Sequence, residues 1–470
     1  MAKPFQLTLD RSAKIPLAEQ IRRAITAAIE SGVLAPGARL PSWQDLAARL
    51  GVARGTVRSA YERLSAAQLI VASRALGTRV AERPRLAARA EPPPDPGSFM
   101  EIYQEMNRGP AIFQMGVPAA EIFPATLFAR LRAHAVRAEA AAPLVYPDPC
   151  GELELRREIA GYLAVSRGID CAPSQVVITT GFGGGLGLAL RVLGLEGGKA
   201  WTEEPGFPFT RRGLALAGLM PMPIPVDADG IDVDHGIAHA PDAGLVVVTP
   251  GQQAPLGVTL SLERRLRLLD WAAQEKAWVI EDDYLSELQL KGRAAPALAA
   301  LDRAGRVIHV GSFSKTISPG LRLGFLVAPL SLQSRFAEVA ACLSPPPGPS
   351  VQAATAQFMR DGHYMRHLRR TKRAYAAKRD ALLACLAPHV ETLGITIAGL
   401  AAVLRLPDGV PDLAIVRESF AFGMAPAPLS AFHAQADARR SGLLLGIATT
   451  PQKQLTQSCD RLVAIIRRFT

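Results

Sequence analysis

Cysteine is scarce in this 470-residue sequence: there are five, and none is part of a CxxC pair. Their odd number and wide spacing fit neither a zinc site nor a secreted disulfide framework, so we expect a reducing compartment. Long apolar runs are also missing, and the N-terminus lacks the apolar core of a secretion signal. We therefore expect a cytoplasmic protein. The eight histidines are dispersed, and we expect no metal site.

Charged residues make up only 20% of the chain, while apolar residues reach 49%, an ordinary globular balance. The length is about three times the usual domain size of about 150 residues, so two or more domains are expected. The few charges are uneven, because residues 1–90 carry a net charge of +9 and the rest only +2. A basic head on a near-neutral body favours a polyanionic partner for the head, although a solvated basic surface would give the same count.

The head begins with three predicted helices. Apolar residues recur every four positions over 17–31, which predicts an amphipathic helix. A second helix is expected after Ser42, whose hydroxyl can cap it, and Gly51 ends that helix. A third helix is expected over residues 54–67. Its apolar residues share one face, and its basic residues lie near its start.

Strand-like runs at 69–72 and 78–81 then predict a short hairpin around Arg74 and Gly77. Helices and a hairpin in this order are typical of a winged helix-turn-helix, in which the start of the second helix of the pair reaches base edges. A three-helix structural bundle is the alternative. The basic charge and the hairpin disfavour it.

The run from Pro16 to Leu64 resembles the winged-helix domain of GntR-family transcription regulators. The resemblance implies that the head binds promoter DNA. Ala53 stands where the family usually has a capping serine, and Gln44 stands where it often has an arginine. We expect these departures to weaken contacts more than they change the fold. The residues expected to face DNA are Ser42, Arg54, Thr56, Arg58, Gly77 and Thr78.

Residues 82–110 lack helical or strand periodicity. Their PPPDP core favours extended polyproline, a semi-rigid spacer, although an irregular segment packed on a domain surface fits as well. We therefore expect a DNA-binding head over 1–81, a Pro-rich linker over 82–110 and a body over 111–470.

Apolar runs alternate with helical patterns in the body, which predicts βαβ units around a mainly parallel sheet. The predicted strands are Val176–Thr180, Leu245–Thr249, Trp278–Asp282, Val307–Val310 and Gly324–Val327. The predicted helices include Leu262–Glu275 and the long basic stretch Val351–Leu386.

The strongest chemical pattern in the body is GSFSKTISPGLRLGF at residues 311–325. Lys315 follows a predicted strand and is flanked by Ser312, Ser314 and Arg322. The amine of a lysine forms a Schiff base with the aldehyde of pyridoxal 5'-phosphate (PLP), while hydroxyls and a guanidinium bind the phosphate. The spacing to Arg322 favours this interpretation over an ordinary surface lysine.

Two further patterns fit the same cofactor. Asp282 ends an apolar strand and would keep a pyridine nitrogen protonated, and Tyr284 would bond a ring oxygen. The amides of Gly183 and Gly184, after another predicted strand, make an anion site at a helix N-terminus. The glycines do not form GxGxxG with a downstream acid, so we expect no dinucleotide.

Together these patterns across residues 111–470 resemble the fold-type-I aminotransferases. The whole chain resembles the MocR-type branch of the GntR regulators. The expected fold is multi-domain, with a mainly helical winged head and small β wing, plus a large α/β PLP-dependent domain of fold type I. The resemblance implies a homodimer, with Phe207 stacked on the cofactor ring and Tyr146 reaching the phosphate of a partner subunit. The residues implied around PLP are Lys315, Asp282, Tyr284, Phe207, Gly183, Gly184, Ser312, Ser314, Arg322 and Tyr146.

One departure bears on the ligand. Aminotransferases carry an arginine near the C-terminus that binds the substrate α-carboxylate, and Leu444 stands at that position. The resemblance then implies an effector without this carboxylate, another arginine such as Arg211 or Arg405, or PLP itself as the effector.

These features favour a transcription regulator that senses PLP, or an amine or amino-acid-like effector, through an aldimine at Lys315, with at most partial transamination. One alternative is a working aminotransferase with an attached DNA-binding head, which Leu444 disfavours. The other is a regulator whose body has lost PLP and only dimerises. The intact set of Lys315, Asp282, Tyr284 and Arg322 disfavours this second alternative.

Overall fold

The computed structural model describes residues 7–13, 15–73, 77–82, 99–107, 109, 111–290, 292, 294–389, 393–435, 440–451 and 453–470. The chain divides into two compact units, Met1–Pro94, which contains the head, and Asp95–Thr470, which contains the body.

The head contains the three predicted helices and the predicted hairpin. Its elements are α1 (Leu17–Glu30), α2 (Trp43–Leu50), α3 (Arg54–Ala66), β1 (Ile70–Ser73) and β2 (Gly77–Val80). The apolar stripe of α1 is buried in a core that includes Ile21 and Ile25. The strands pair antiparallel, and Arg74 of the predicted turn lies outside the described residues. The winged helix-turn-helix prediction is thus confirmed.

Short-range chemistry sets the ends of α2 and α3. The Ser42 hydroxyl accepts from the Asp45 amide at 3.1 Å, and Gly51 ends α2 with a left-handed φ of 62°. Ala53 precedes α3 without a capping side chain, as the sequence predicts. The Tyr61 hydroxyl donates to the Pro41 carbonyl at 2.9 Å, which ties α3 to the segment before α2.

The body is built on an eight-stranded mixed sheet with a second, four-stranded antiparallel sheet. The strands of the large sheet are β3 (Val176–Thr179), β4 (Lys199–Glu204), β5 (Met220–Asp227), β6 (Gly230–Ile231), β7 (Leu245–Val248), β8 (Trp278–Asp283), β9 (Val307–Ser312) and β10 (Gly324–Val327). Their order is β3-β10-β9-β8-β7-β4-β5-β6, and the central pairs from β9 to β5 are parallel. The five predicted strands are all present.

The strands of the small sheet lie in the C-terminal part of the sequence. Its strands are β11 (Gly394–Ala398), β12 (Ala401–Arg405), β13 (Ala427–Pro428) and β14 (Gly442–Gly446). The segment at residues 112–116, from much earlier in the sequence, is hydrogen-bonded to this sheet, because the Gly446 amide donates to the Phe113 carbonyl at 2.8 Å.

Helices cover the sheets and enclose three apolar cores. The helices of the body are α4 (Phe99–Met106), α5 (Ala125–Ala141), α6 (Leu153–Arg167), α7 (Phe182–Leu193), α8 (Pro208–Leu216), α9 (Val233–His239), α10 (Leu262–Gln274), α11 (Leu298–Leu301), α12 (Gln333–Leu343), α13 (Pro349–Arg360), α14 (His363–Leu386), α15 (Asp412–Phe420) and α16 (Leu455–Ile466).

Two local predictions are wrong. Helix α4 lies within residues 82–110, where we predicted no helical or strand periodicity. Apolar residues in its sequence FMEIYQEM recur three and four positions apart, which is a helical spacing. The PPPDP segment lies outside the described residues. The stretch Val351–Leu386 is two helices, since Gly362 adopts a left-handed φ of 69° between α13 and α14.

The described part of the chain has no helix long and apolar enough to cross a membrane. Over the same residues, no group of three histidine, cysteine or acidic side chains is placed to hold a metal ion.

Candidate cofactor site

Strand β8 ends in three consecutive acids, and the alternation of side chains along a strand sends them to opposite faces. On one face Glu281 lies 2.9 Å from His309 Nδ1, and Asp283 pairs with Arg167 at 2.6 Å. All four of these groups are buried. Asp282 is left on the other face.

Asp282 and Lys315 lie close enough for the charge of each to change the pKa of the other. Burial, then the neighbouring Asp283 and Glu203, raises the pKa of Asp282 well above its usual value, and Lys315 opposes the rise. Burial lowers the pKa of Lys315 to about 8, and Asp282 opposes that fall. The lysine therefore has a substantial neutral, nucleophilic fraction near neutral pH.

Lys315 is held in the turn after β9. Its Nζ donates to the Gly116 carbonyl at 2.6 Å. Gly116 has a φ of 79°, and a Cβ at this position would lie 2.8 Å from Nζ. The left-handed φ favours glycine here, and a Cβ would also push the flexible end of the lysine away from the Gly116 carbonyl.

A phenol and a third acid lie beside this pair. Burial, then Asp282 and Glu203, raises the pKa of Tyr284. Glu203 accepts from the Thr249 amide at 3.0 Å and from its hydroxyl at 2.6 Å. Burial raises the pKa of Glu203 to about 7, against these hydrogen bonds. The buried acids Asp282 and Glu203 thus lie near each other, and Asp282 lies near the half-buried Lys315 amine.

An anion cradle lies at the start of α7. Gly181 has φ 85° and ψ −170°, a region open essentially to glycine alone. A Cβ on Gly181 would lie 3.9 Å from both Arg322 Nη2 and Ser314 Oγ. The guanidinium and the hydroxyl therefore converge on the helix N-terminus, where the amides of Gly183 and Gly184 belong to the first turn.

Hydrogen bonds fix the cradle. The Ser314 amide donates to Ser312 Oγ at 3.2 Å. Arg322 Nη2 donates to the Thr180 carbonyl at 2.9 Å. These bonds hold Ser312, Ser314 and Arg322 beside the strand that leads into α7.

Phe207 lies immediately before α8, with its ring 6.4 Å from that of Phe182 and 5.3 Å from that of Phe209 between centroids. The contact with Phe182, at the start of α7, places Phe207 near the anion cradle. Tyr146 is fully exposed in the single chain, next to exposed Leu144 and Val145. Its placement at a partner's phosphate stays a prediction.

The residues present fit PLP. A half-buried lysine amine, a buried carboxyl whose pKa responds to that amine, and a cradle that a Cβ would fill match an aldehyde, a pyridinium and a phosphate. The structure brings Lys315, Asp282 and Tyr284 together, and it gathers Ser312, Ser314 and Arg322 at α7.

The positions considered for carboxylate binding are apolar, hydrogen-bonded to backbone or exposed. Leu444 is buried in β14. Arg211 Nη1 donates to the carbonyls of Gly206 at 2.8 Å and Phe432 at 2.7 Å. Arg405 is exposed at the end of β12.

In the head, the predicted DNA-facing residues lie at the start of α2, on α3 and on β2. Arg54 is exposed at the start of α3, Thr56 is half-buried, and Arg58 pairs with Glu62 at 2.9 Å. The Ser42 hydroxyl is engaged at the cap of α2. Gly77 and Thr78 begin the second strand of the wing.

Sequence reasoning missed three residues at these sites. Glu203 could have been found from the acidic EEPGF motif at a strand end, by the logic applied to Asp282. Arg39 lies against the wing, with its Nε 3.6 Å from the position of a Cβ on Gly77. No recognisable motif around Gly116 predicts its contact with Lys315.

Comparison with known families agrees with this geometry. Residues 123–414 match the family "Aminotransferase class I and II", and residues 17–80 match "Bacterial regulatory proteins, gntR family". The solved alanine:glyoxylate aminotransferase of an archaeon covers 79% of this chain and 95% of its own, with a TM-score of 0.72 and 24% identity. LysN, an α-aminoadipate aminotransferase of Thermus thermophilus solved with N-(5'-phosphopyridoxyl)-L-leucine, is 27% identical and covers 78% of this chain and 95% of its own, with a TM-score of 0.70.

Similar regulators span both units. The probable rhizopine catabolism regulatory protein MocR of Rhizobium meliloti is 34% identical over 97% of this chain and 95% of its own. The pyridoxine biosynthesis transcriptional regulator PdxR of Corynebacterium glutamicum is 33% identical over 88% of this chain and 87% of its own. A basic winged helix and an aminotransferase fold thus occur together in this chain as they do in its relatives, and the chain belongs to the MocR-type branch of the GntR family of HTH-type transcription regulators.

Proposed function

We propose that this chain is a PLP-responsive transcription regulator. In this proposal its head binds promoter DNA, and its body holds PLP on Lys315 and responds to PLP itself or to an amine that reaches the same site. A regulator of bacterial promoters acts in the cytoplasm, and reading two half-sites favours a homodimer. The exposed segment at residues 144–146 is the part of the body that would meet the second subunit.

The observation that carries the proposal is the proximity of the half-buried Lys315 and the buried Asp282, each of which shifts the pKa of the other, in a chain whose head is a GntR domain. When bound, PLP supplies an aldehyde that reacts with primary amines and a ring that withdraws electrons.

Each side chain has a defined task in this proposal. Lys315 supplies the amine, and its lowered pKa keeps part of it neutral. Asp282 provides the carboxylate for the protonated ring nitrogen, and Tyr284 a hydrogen bond to the ring oxygen. Phe207 packs on the ring face. Ser312, Ser314, Arg322 and the amides of Gly183 and Gly184 hold the phosphate.

The head carries the recognition of DNA. Arg54 and Thr56, in the first turn of α3, are proposed to reach base edges, and Arg58 to contact the backbone. Gly77 and Thr78 bring the wing to the adjacent backbone. The N-terminus of α2, which begins after Ser42, is proposed to face a phosphate.

Trapping with borohydride tests the cofactor assignment. The full chain is incubated with PLP, reduced, digested and mapped by mass spectrometry. We expect a phosphopyridoxyl group on Lys315, and no labelling of the body in Lys315→Ala. Lys199→Ala is the matched control, since Lys199 forms a surface ion pair with Asp242 at 2.9 Å. Labelling at another lysine, or none, would contradict the proposal, and sustained turnover of an amino acid with a keto acid would instead favour a working aminotransferase.

A further inference from the structure

The small sheet of the body has two different faces. Along β14, Leu443 and Leu445 belong to the main core, whereas Leu444 belongs to a separate apolar group. Leu444 pairs in register with Val403 on one side and Ala427 on the other, and both belong to the same group. We call this second face the apolar wall: its members are Ala398, Ala401, Val403, Ala427, Leu429 and Leu444, with Met115 and Phe432 packed against them.

One edge of the apolar wall borders the lysine. Met115 packs against the wall and directly precedes Gly116, whose carbonyl accepts from Lys315 Nζ at 2.6 Å. The end of β14 is bonded to the same segment, because the Gly446 amide donates to the Phe113 carbonyl at 2.8 Å. The wall and the amine are therefore separated by little more than one residue of backbone.

Two other edges border the rest of the cofactor site. Phe432 packs on the wall, and its carbonyl accepts at 3.0 Å from the amide of Gly206, the residue before Phe207. At the third edge Ala398 is followed by Gly399, where a Cβ would lie 2.5 Å from Gln252 Oε1. The wall thus adjoins Lys315, Phe207 and Gln252 on three sides.

The arginines that the structure places near these edges are already engaged. Arg211 donates to the Gly206 and Phe432 carbonyls, and more weakly to that of Ala431 at 3.4 Å. Arg322 belongs to the anion cradle at the start of α7. A carboxylate held against the apolar wall would lose its hydration, and it could pair with the Arg211 guanidinium only by displacing these hydrogen bonds, which is costly.

We propose that the ligand sensed beside Lys315 is a primary amine with an uncharged, apolar body and no carboxylate on the amine-bearing carbon. The amine reaches the Lys315 position, and the apolar body packs on Met115 and Phe432, the half-buried side chains that cover the buried wall around Leu444. This inference rests on the proposed function, because it presumes that PLP occupies the site.

A matched pair of probes tests the selectivity. n-Butylamine and L-norvaline differ only by the carboxylate on the amine-bearing carbon. Each is titrated at one pH into PLP-loaded full-length protein that has been freed of excess PLP. Binding is read by calorimetry and by the change in the visible cofactor band. We expect n-butylamine to bind at least tenfold more tightly than L-norvaline.

Variants at the centre of the wall test its role. Leu444→Arg supplies a guanidinium, and a charge-assisted pair should make L-norvaline the tighter ligand by about tenfold or more. Leu444→Gln is the neutral control of similar size. It should weaken n-butylamine without creating a preference for the carboxylate.

The outcomes separate the two levels of the proposal. Wild-type protein that binds L-norvaline as tightly as n-butylamine, while showing the cofactor band, would overturn the inference alone. The wild-type comparison decides this even if Leu444→Arg fails to fold. A chain that acquires no cofactor band with PLP would overturn the proposed function, and the inference with it.

Discussion

At the scale of single residues, the three acids that end β8 have three different environments. Glu281 and Asp283 face a buried histidine and a buried arginine, while Asp282 lies near enough to Lys315 for each to shift the pKa of the other. Successive side chains along a strand point to opposite faces, so Asp282 is separated from Glu281 and Asp283 by the strand geometry alone. The identity of the partners, Arg167 from α6 and His309 from β9, depends on long-range packing that no local pattern reports.

The pKa of Lys315 leads to a prediction for cofactor uptake. Only the neutral amine attacks the aldehyde, and burial lowers the pKa of this lysine to about 8. The rate of PLP uptake by the apo protein should rise about tenfold per pH unit below pH 8 and level off above it. Stopped-flow absorbance of the cofactor band measures this rate.

A blocked lysine peptide is the reference for that profile. Its amine has an ordinary pKa of about 10.4, so its rate with PLP should keep rising through pH 10. An uptake profile of the protein parallel to the peptide's profile would contradict the lowered pKa.

The Arg167–Asp283 pair should be costly to break. Both groups are buried, so Arg167→Met would leave the Asp283 carboxylate without its counter-charge and lower the free energy of unfolding by about 3 to 5 kcal/mol. Arg267→Met removes an exposed pair with Asp234 and should cost less than about 1 kcal/mol. Urea denaturation followed by tryptophan fluorescence compares the two, and equal costs would contradict the structural role of the buried pair.

At the scale of elements, α7 should lose its anion site when Gly181 is replaced. Gly181→Ala forces a side chain into a backbone region that costs about 1 to 3 kcal/mol, and its Cβ enters the cradle between Arg322 and Ser314. PLP affinity, measured by equilibrium dialysis, should therefore fall at least tenfold.

Gly187 provides the control within the same helix. A Cβ on Gly187 meets open space, so Gly187→Ala should stabilise α7 by about 0.5 to 1 kcal/mol without changing PLP affinity. Equal PLP affinities for the two variants would contradict the proposed cradle.

The start of α3 offers a test in the head. Ala53 provides no capping side chain, so Ala53→Ser should add a hydrogen bond to the first turn and stabilise α3 by about 1 kcal/mol. Hydrogen exchange of α3 peptides in the full chain should slow accordingly. Ser42→Ala removes the cap of α2 and should speed exchange there, and unchanged exchange in both variants would contradict the capping account.

Local chemistry made some elements predictable and left others hidden. Ser42 and Gly51 delimit α2 by short-range rules, and the SxSK pattern locates Lys315 after its strand. Gly362 follows the C-cap Asp361 with a left-handed φ, a local helix end that the apolar periodicity of residues 351–386 did not reveal. Gly116 meets Lys315 across 199 positions of sequence, a distance over which no motif reaches.

At the scale of the whole molecule, charge and chemistry are divided between the two units. Most of the net positive charge lies in the head, and the lysine site lies in the body. Coupling between them is a free energy shared by two binding equilibria, so the factor by which PLP changes operator affinity must equal the factor by which the operator changes PLP affinity. This equality can be tested with one protein and two titrations.

The most direct test of the central claim is a gel-shift titration of the full chain against the DNA upstream of its own gene. PLP-loaded protein, PLP-stripped protein and Lys315→Ala are compared at one salt concentration, with an unrelated duplex as control. We predict a specific shift whose affinity differs at least fivefold between loaded and stripped protein, with Lys315→Ala behaving as stripped protein even when PLP is present. Specific binding of equal affinity in all three states, or no specific binding in any of them, would contradict the account.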